Sequence, residues 1–148
     1  MWPQVLIALL LSASNVLIHS SGSYSLSFWI AHSFKERPLP TLMWGWSMMI
    51  RLILGLLLLH ALEVAVWAQF FTFKHYFPNA ETAYYYSITS YTTVGYGDVV
   101  LAAPWRMLGG WEAMIGVLMF GWSTASLVAL LHHLQEAHIK RIEAGAYS

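Results

Sequence analysis

Thr92-Thr93-Val94-Gly95-Tyr96-Gly97-Asp98 is the stretch on which the reading of this chain turns. Its chemistry lies in backbone carbonyls rather than in side chains. A dehydrated alkali cation needs a cage of oxygens to replace its water shell, and loops of this kind arranged around one axis can supply it. Consecutive carbonyls point the same way only if the backbone visits positive φ, which Gly95 and Gly97 permit and most side chains resist. Val94 and Tyr96, set between the glycines, are expected to point outward and brace the loop, and the Thr93 hydroxyl adds an oxygen below the lowest carbonyl ring. A lone Gly-x-Gly would carry little weight; this unbroken string carries much more.

Working outward, residues 79–91 read as a short helix that ends at the loop. Pro78 and Asn79 make a helix start, and Glu81 falls in the first turn, where the helix dipole favours negative charge. The carboxyl end of this helix points its partial negative charge at the loop. Beyond it lie three long apolar segments, roughly 2–31, 42–71 and 105–134, each at or above the ~20 residues that span a bilayer core. Pro3, Pro38, Pro40, Pro78 and Pro104 all fall at ends or in connections. The first segment is the least lipophilic, with a serine-rich second half from Ser12 to Ser27; Trp2 and Trp29 suit opposite interfaces. A cleaved leader with a weak site at Ser12-Ala13-Ser14 is the alternative there, and the lack of a basic residue ahead of the apolar run argues against it.

Composition agrees with a membrane protein: 58% of residues are hydrophobic and 9% charged, against about 25% charged in ordinary soluble domains. Net charge is zero, so neither a nucleic-acid nor an acidic-substrate partner is implied. The absence of cysteine removes disulfides, thiolate zinc sites and cysteine nucleophiles. Paired carboxylates at catalytic spacing, an activated nucleophile and a phosphate loop are all missing, so no enzyme and no small-molecule substrate is expected.

Helix, short helix, TTVGYGD and helix, over residues 42–134, resemble the pore module of the tetrameric potassium-channel superfamily, in particular its small bacterial members. The resemblance implies an all-α integral membrane protein that assembles as a homotetramer in the lipid bilayer. Its parts are an outer helix (42–72), a re-entrant pore helix (79–91), a selectivity filter (92–98) and an inner helix (105–134). An extra transmembrane helix (1–33) and a linker (34–41) precede them, and a short cytoplasmic tail (135–148) follows. It further implies that K+, as permeant ion and not as cofactor, meets the carbonyls of Thr93, Val94, Gly95, Tyr96 and Gly97, supported by Thr92 and Asp98. The alternatives are a non-selective cation channel and a non-conducting pore-like scaffold subunit.

The chain departs from that family in several places. Tyrosines stand at 84, 85 and 86 where many relatives have paired tryptophans, and by spacing Tyr85 is the candidate to hydrogen-bond Asp98. Thr89 occupies the position at which some relatives carry a glutamate, so a carboxyl pair behind the filter is not expected there. The first helix lacks the repeated arginines of a voltage sensor. Lys35 and Arg37 lie between the first two helices and Lys140 and Arg141 after the last. The positive-inside rule therefore places a multi-pass protein in the cell membrane with its amino terminus outside and its carboxyl terminus cytoplasmic.

Charged groups within spans are costly and mark places of interest. Glu112 is a candidate support for the back of the filter, whereas His60 and Glu63, three residues apart, read as a local pair that fixes helix packing. Gly116 and Gly121 are candidate bending points, although glycine in membrane helices also serves close packing. His132 and His133 are candidate pH-responsive groups at the cytoplasmic end.

Overall fold

A computed structural model of the chain describes residues 2–36 and 41–146, and all of its regular structure is helical. The helices are α1 (Trp2–Glu36), α2 (Leu42–Phe73), α3 (Ala80–Tyr91) and α4 (Met107–Ala146), with a single 3-10 turn at Ala103–Trp105 before α4. Three of them are long and apolar enough to cross a membrane, and α3 is the short one.

Serine-rich α1 runs without a break, and several of its serines turn back on their own helix. Ser14 Oγ donates to the Leu10 carbonyl at 3.0 Å and Ser25 Oγ to that of Ser21 at 2.9 Å, so neither needs an outside partner. The expected linker over 34–41 divides: Phe34–Glu36 continue α1, whereas Arg37, Pro38 and Pro40 lie outside the described residues. Thr41 caps α2, its Oγ1 accepting from the Trp44 amide at 3.3 Å.

The end of α2 is a Schellman turn made without glycine. His75 takes φ 52°, its amide donates to the Thr72 carbonyl, and the Tyr76 amide reaches Phe71, each at 3.0 Å. The inner helix, expected to stop at 134, continues as α4 through the segment expected to be a separate tail. The reason is composition: between Leu134 and Glu143 there is neither glycine nor proline, and most residues there are strong helix formers.

The chain divides into two compact units, residues 2–20 with 59–121, and the described parts of 21–58 with 122–146. In the first, Trp67, Phe71, Phe77, Tyr86, Leu108 and Ile115 form a buried core around α3. Its aromatic rings meet edge to face, Phe71 with Tyr86 at 5.5 Å and with Phe77 at 6.1 Å, a geometry that adds directional preference to area burial. In the second, Met48, Leu52, Leu56 and Leu130 are buried. Gly55 there lets Leu26 approach so closely that a Cβ would meet its side chain at 2.8 Å.

Candidate functional site

Helix α3 is held at its start by Asn79, whose Oδ1 accepts from the Thr82 amide at 2.8 Å, and Glu81 stands in its first turn. Its three successive tyrosines diverge. Tyr84 accepts from Gln69 of α2 at 3.2 Å, Tyr86 is buried in the core, and Tyr85 turns toward the loop.

At its other end the helix passes directly into residues 92–98. The Thr92 amide and hydroxyl both donate to the Ile88 carbonyl, at 3.0 and 2.6 Å. The Thr93 amide donates to Ser90 and the Gly95 amide reaches back to Thr89. The last turn of α3 thus fixes where the loop begins.

The loop backbone alternates. Thr93, Gly95 and Gly97 have φ of 63°, 51° and 79°, whereas Val94 and Tyr96 do not. In an ordinary strand successive carbonyls point opposite ways. Reversing the sign of φ at every second residue cancels that alternation and aims the carbonyls to one side. The glycines take this geometry freely, but a β-branched residue at positive φ is a strained outlier, so Thr93 is held there by its surroundings. Val94 and Tyr96 are 52% and 73% exposed in the single chain. At the far end of the loop the Tyr85 hydroxyl donates to Asp98 Oδ2 at 2.7 Å. That bond lowers the Asp98 carboxyl pKa and raises that of the Tyr85 phenol.

Behind the loop, α4 presents Gly109, Glu112 and Gly116 on one face, at spacings of three and four. A Cβ on Gly109 would lie 2.1 Å from the Tyr86 hydroxyl, and one on Gly116 would lie 2.1 Å from the Tyr91 carbonyl oxygen. These two glycines let α4 press against α3. Between them Glu112 is fully buried and faces Ser87. No bond within hydrogen-bond distance joins the two, and neither side chain has another hydrogen-bond partner among the described residues.

The sequence model of the family Ion_trans_2, described as Ion channel, matches residues 46–133. The chain belongs to this ion channel family. Comparison with curated proteins gave no significant match, and comparison with solved structures gave none either.

In this channel the expected site residues separate into two groups. Thr92 to Asp98, Tyr85, Glu112 and Gly116 gather around the end of α3 within the first unit. Gly121 has open space about its Cα, unlike Gly116, while His132 and His133 are exposed on α4 in the second unit, His133 with its ring 6.1 Å from Phe34. Sequence reasoning missed Tyr91 altogether and undervalued His60 and Glu63. Those two are no closed local pair. Glu63 accepts from His19 of α1 at 2.8 Å and from Tyr91, and His60 bonds Tyr91 at 3.0 Å. The one signal available was the presence of ionisable groups inside apolar spans.

Proposed function

We propose that the protein is a potassium-selective channel that conducts K+ passively, with residues 92–98 of four copies forming the filter around one axis. The observation that carries this reading is the alternating backbone of Thr93, Gly95 and Gly97 within an intact TTVGYGD string. Carbonyls aimed to one side give a quarter of an oxygen cage per chain, which is useful only when four chains meet. The irregular backbone of the loop supports the assembly, since non-helical backbone at membrane depth is tolerated only where protein buries it or water lines it. In this reading the carbonyls of Thr93 to Gly97 hold the ions, Thr92, Tyr85 and Asp98 shape the loop and its mouth, and Glu112 braces α3 from behind. The filter mouth and amino terminus face outside, and the carboxyl terminus faces the cytoplasm. Gly121, with space around it, is the proposed bending point of the inner helix, and His132 and His133 stand exposed toward its cytoplasmic end.

The deciding experiment is the reversal potential of purified protein in a planar bilayer with K+ on one side and Na+ on the other. The expected result lies far toward the potassium equilibrium potential. A reversal near zero with robust current points to a non-selective cation channel, and absence of current points to a scaffold subunit.

The mouth has its own pH dependence. The Tyr85 hydroxyl stabilises ionised Asp98, whose pKa is therefore below its ordinary value. Its contribution is complete above the ordinary carboxylate range and is lost as pH falls through the lowered pKa. Tyr85→Phe removes the largest cause of that lowering. Acid block from the filter-mouth side is expected to begin at higher pH in Y85F than in the wild type, read as current against pH. Superimposable curves would remove Tyr85 from the mouth's design.

A further inference from the structure

We infer that the first helix positions the filter, through a buried hydrogen-bond chain that ends on Tyr91, the residue immediately before Thr92. The inference concerns how the loop is held, and it rests on the channel reading above only for its electrical readout.

The chain of bonds joins three helices. His19 of α1, Glu63 of α2 and Tyr91 of α3 are each fully buried, and His60 of α2 is nearly so. His19 Nδ1 lies 2.8 Å from Glu63 Oε1, the Tyr91 hydroxyl donates to Glu63 Oε2, and His60 Nδ1 lies 3.0 Å from the Tyr91 hydroxyl and 3.5 Å from Glu63 Oε2. A carboxylate accepting at both oxygens fixes the direction of every bond. His19 donates to Glu63. Tyr91 donates its single proton to Glu63, so its oxygen can only accept from His60. In these three bonds each donor has its own acceptor.

These side chains also form a two-histidine, one-glutamate set with ligand atoms within 4.8 Å of one another. The three bonds account for their convergence without a metal, and they explain a feature that a metal would not need: the phenol of Tyr91 sits in the middle. Phe120 completes the setting, its ring 4.5 Å from His60 and 5.5 Å from Tyr91. On its backbone side Tyr91 rests against Gly116. The residue that leads into the filter is thus held at its hydroxyl by hydrogen bonds and at its carbonyl by packing, as Asp98 is held at the other end by Tyr85. The family match begins at residue 46, so His19 belongs to the part of the chain outside it. Helix α1 supplies the bond that orients Glu63, and Glu63 orients Tyr91. His19 is a positioning residue acting through these two.

The test compares His19→Leu, His19→Gln, Tyr91→Phe and the double variant H19L/Y91F in the same bilayer. Removing one bond to a buried carboxylate is expected to change the K+ over Na+ permeability ratio or the mean open time by about tenfold. H19L and Y91F are expected to move the same readout in the same direction, the double variant no further than the larger single one, and H19Q, which keeps a donor, to remain near wild type. Wild-type filter behaviour in H19L with only a lowered melting temperature would overturn the inference, as would fully additive effects. If H19L fails to assemble, Y91F against H19Q carries the comparison, because Y91F removes only an oxygen atom. Wild-type selectivity tests the potassium reading, and the differences among variants test the network. A non-selective wild type whose open time still obeys this pattern would sink the first and uphold the second.

Discussion

Gly95→Ala is expected to abolish potassium conduction while leaving the protein folded and inserted. Gly95 sits at φ 51°, with no atom within 4 Å of the place a Cβ would take. The substitution therefore meets no steric wall within its own chain, and the penalty is one of backbone preference. An L-residue in the left-handed region is disfavoured by roughly 1–2 kcal/mol, so in the proposed assembly of four loops around one axis about 4–8 kcal/mol stands against the conducting geometry. Relaxation is local: φ reverts to negative values, and the peptide plane between Val94 and Gly95 turns its carbonyl off the axis. A cage missing one ring of oxygens no longer repays the dehydration of the ion. Flux of K+ from loaded liposomes is the measurement, with size-exclusion chromatography of the same preparation as the control for assembly. Wild-type flux in the variant would mean that residues 92–98 do not line the path. Loss of flux with assembly retained separates a conducting protein from a scaffold.

This difference between preference and contact also explains what the sequence could and could not disclose. The spans were legible because bilayer thickness sets a length and apolar composition meets it, and α3 was legible because Asn79 and Glu81 write a helix start in side chains. Gly95 and Gly97 announced positive φ by being glycine. Thr93 has the same backbone sign and a side chain that disfavours it, so no local rule points there; the helix end that fixes its amide imposes the geometry. The continuation of α4 beyond 134 was open to reading by propensity alone, and the change from lipophilic to charged residues obscured it. The network around Tyr91 was beyond reach for a different reason. His19 and Glu63 are 44 residues apart, Glu63 and Tyr91 are 28 apart, and only the packing of three helices makes them neighbours. A histidine in a serine-rich segment, a His-Glu pair on another helix and one tyrosine among eight give no sign of belonging together.

The glycines of α4 show the same limit and yield the second large effect. Gly109, Gly110, Gly116 and Gly121 are indistinguishable as letters, yet two face α3 at contact distance and two have nothing within 4 Å. Gly116→Ala is expected to be severely destabilising. Its Cβ would lie 2.1 Å from the Tyr91 carbonyl oxygen and 3.0 Å from the carbonyl carbon, atoms of the backbone that cannot swing aside as a side-chain tip can. Relief requires α4 and the end of α3 to separate, which displaces the start of the 92–98 loop and loosens Ile115 and Met119 in the core. Overpacking of this kind is worth about 1–3 kcal/mol, at the upper end or beyond where the neighbour is main chain. Gly121→Ala is the matched control with the opposite sign. With space around it, alanine gains the roughly 0.8–1 kcal/mol by which it is the better helix former. The melting temperature of detergent-solubilised protein is expected to fall in G116A and to hold or rise in G121A, with altered selectivity or open time accompanying the first. A G116A variant that melts at or above the wild-type temperature would show that α4 does not bear on Tyr91. G121A completes the argument from the other side: if α4 bends at that residue in opening, alanine stiffens the helix and shifts the open probability while the melting temperature stays high, a combination that a purely packed glycine cannot produce.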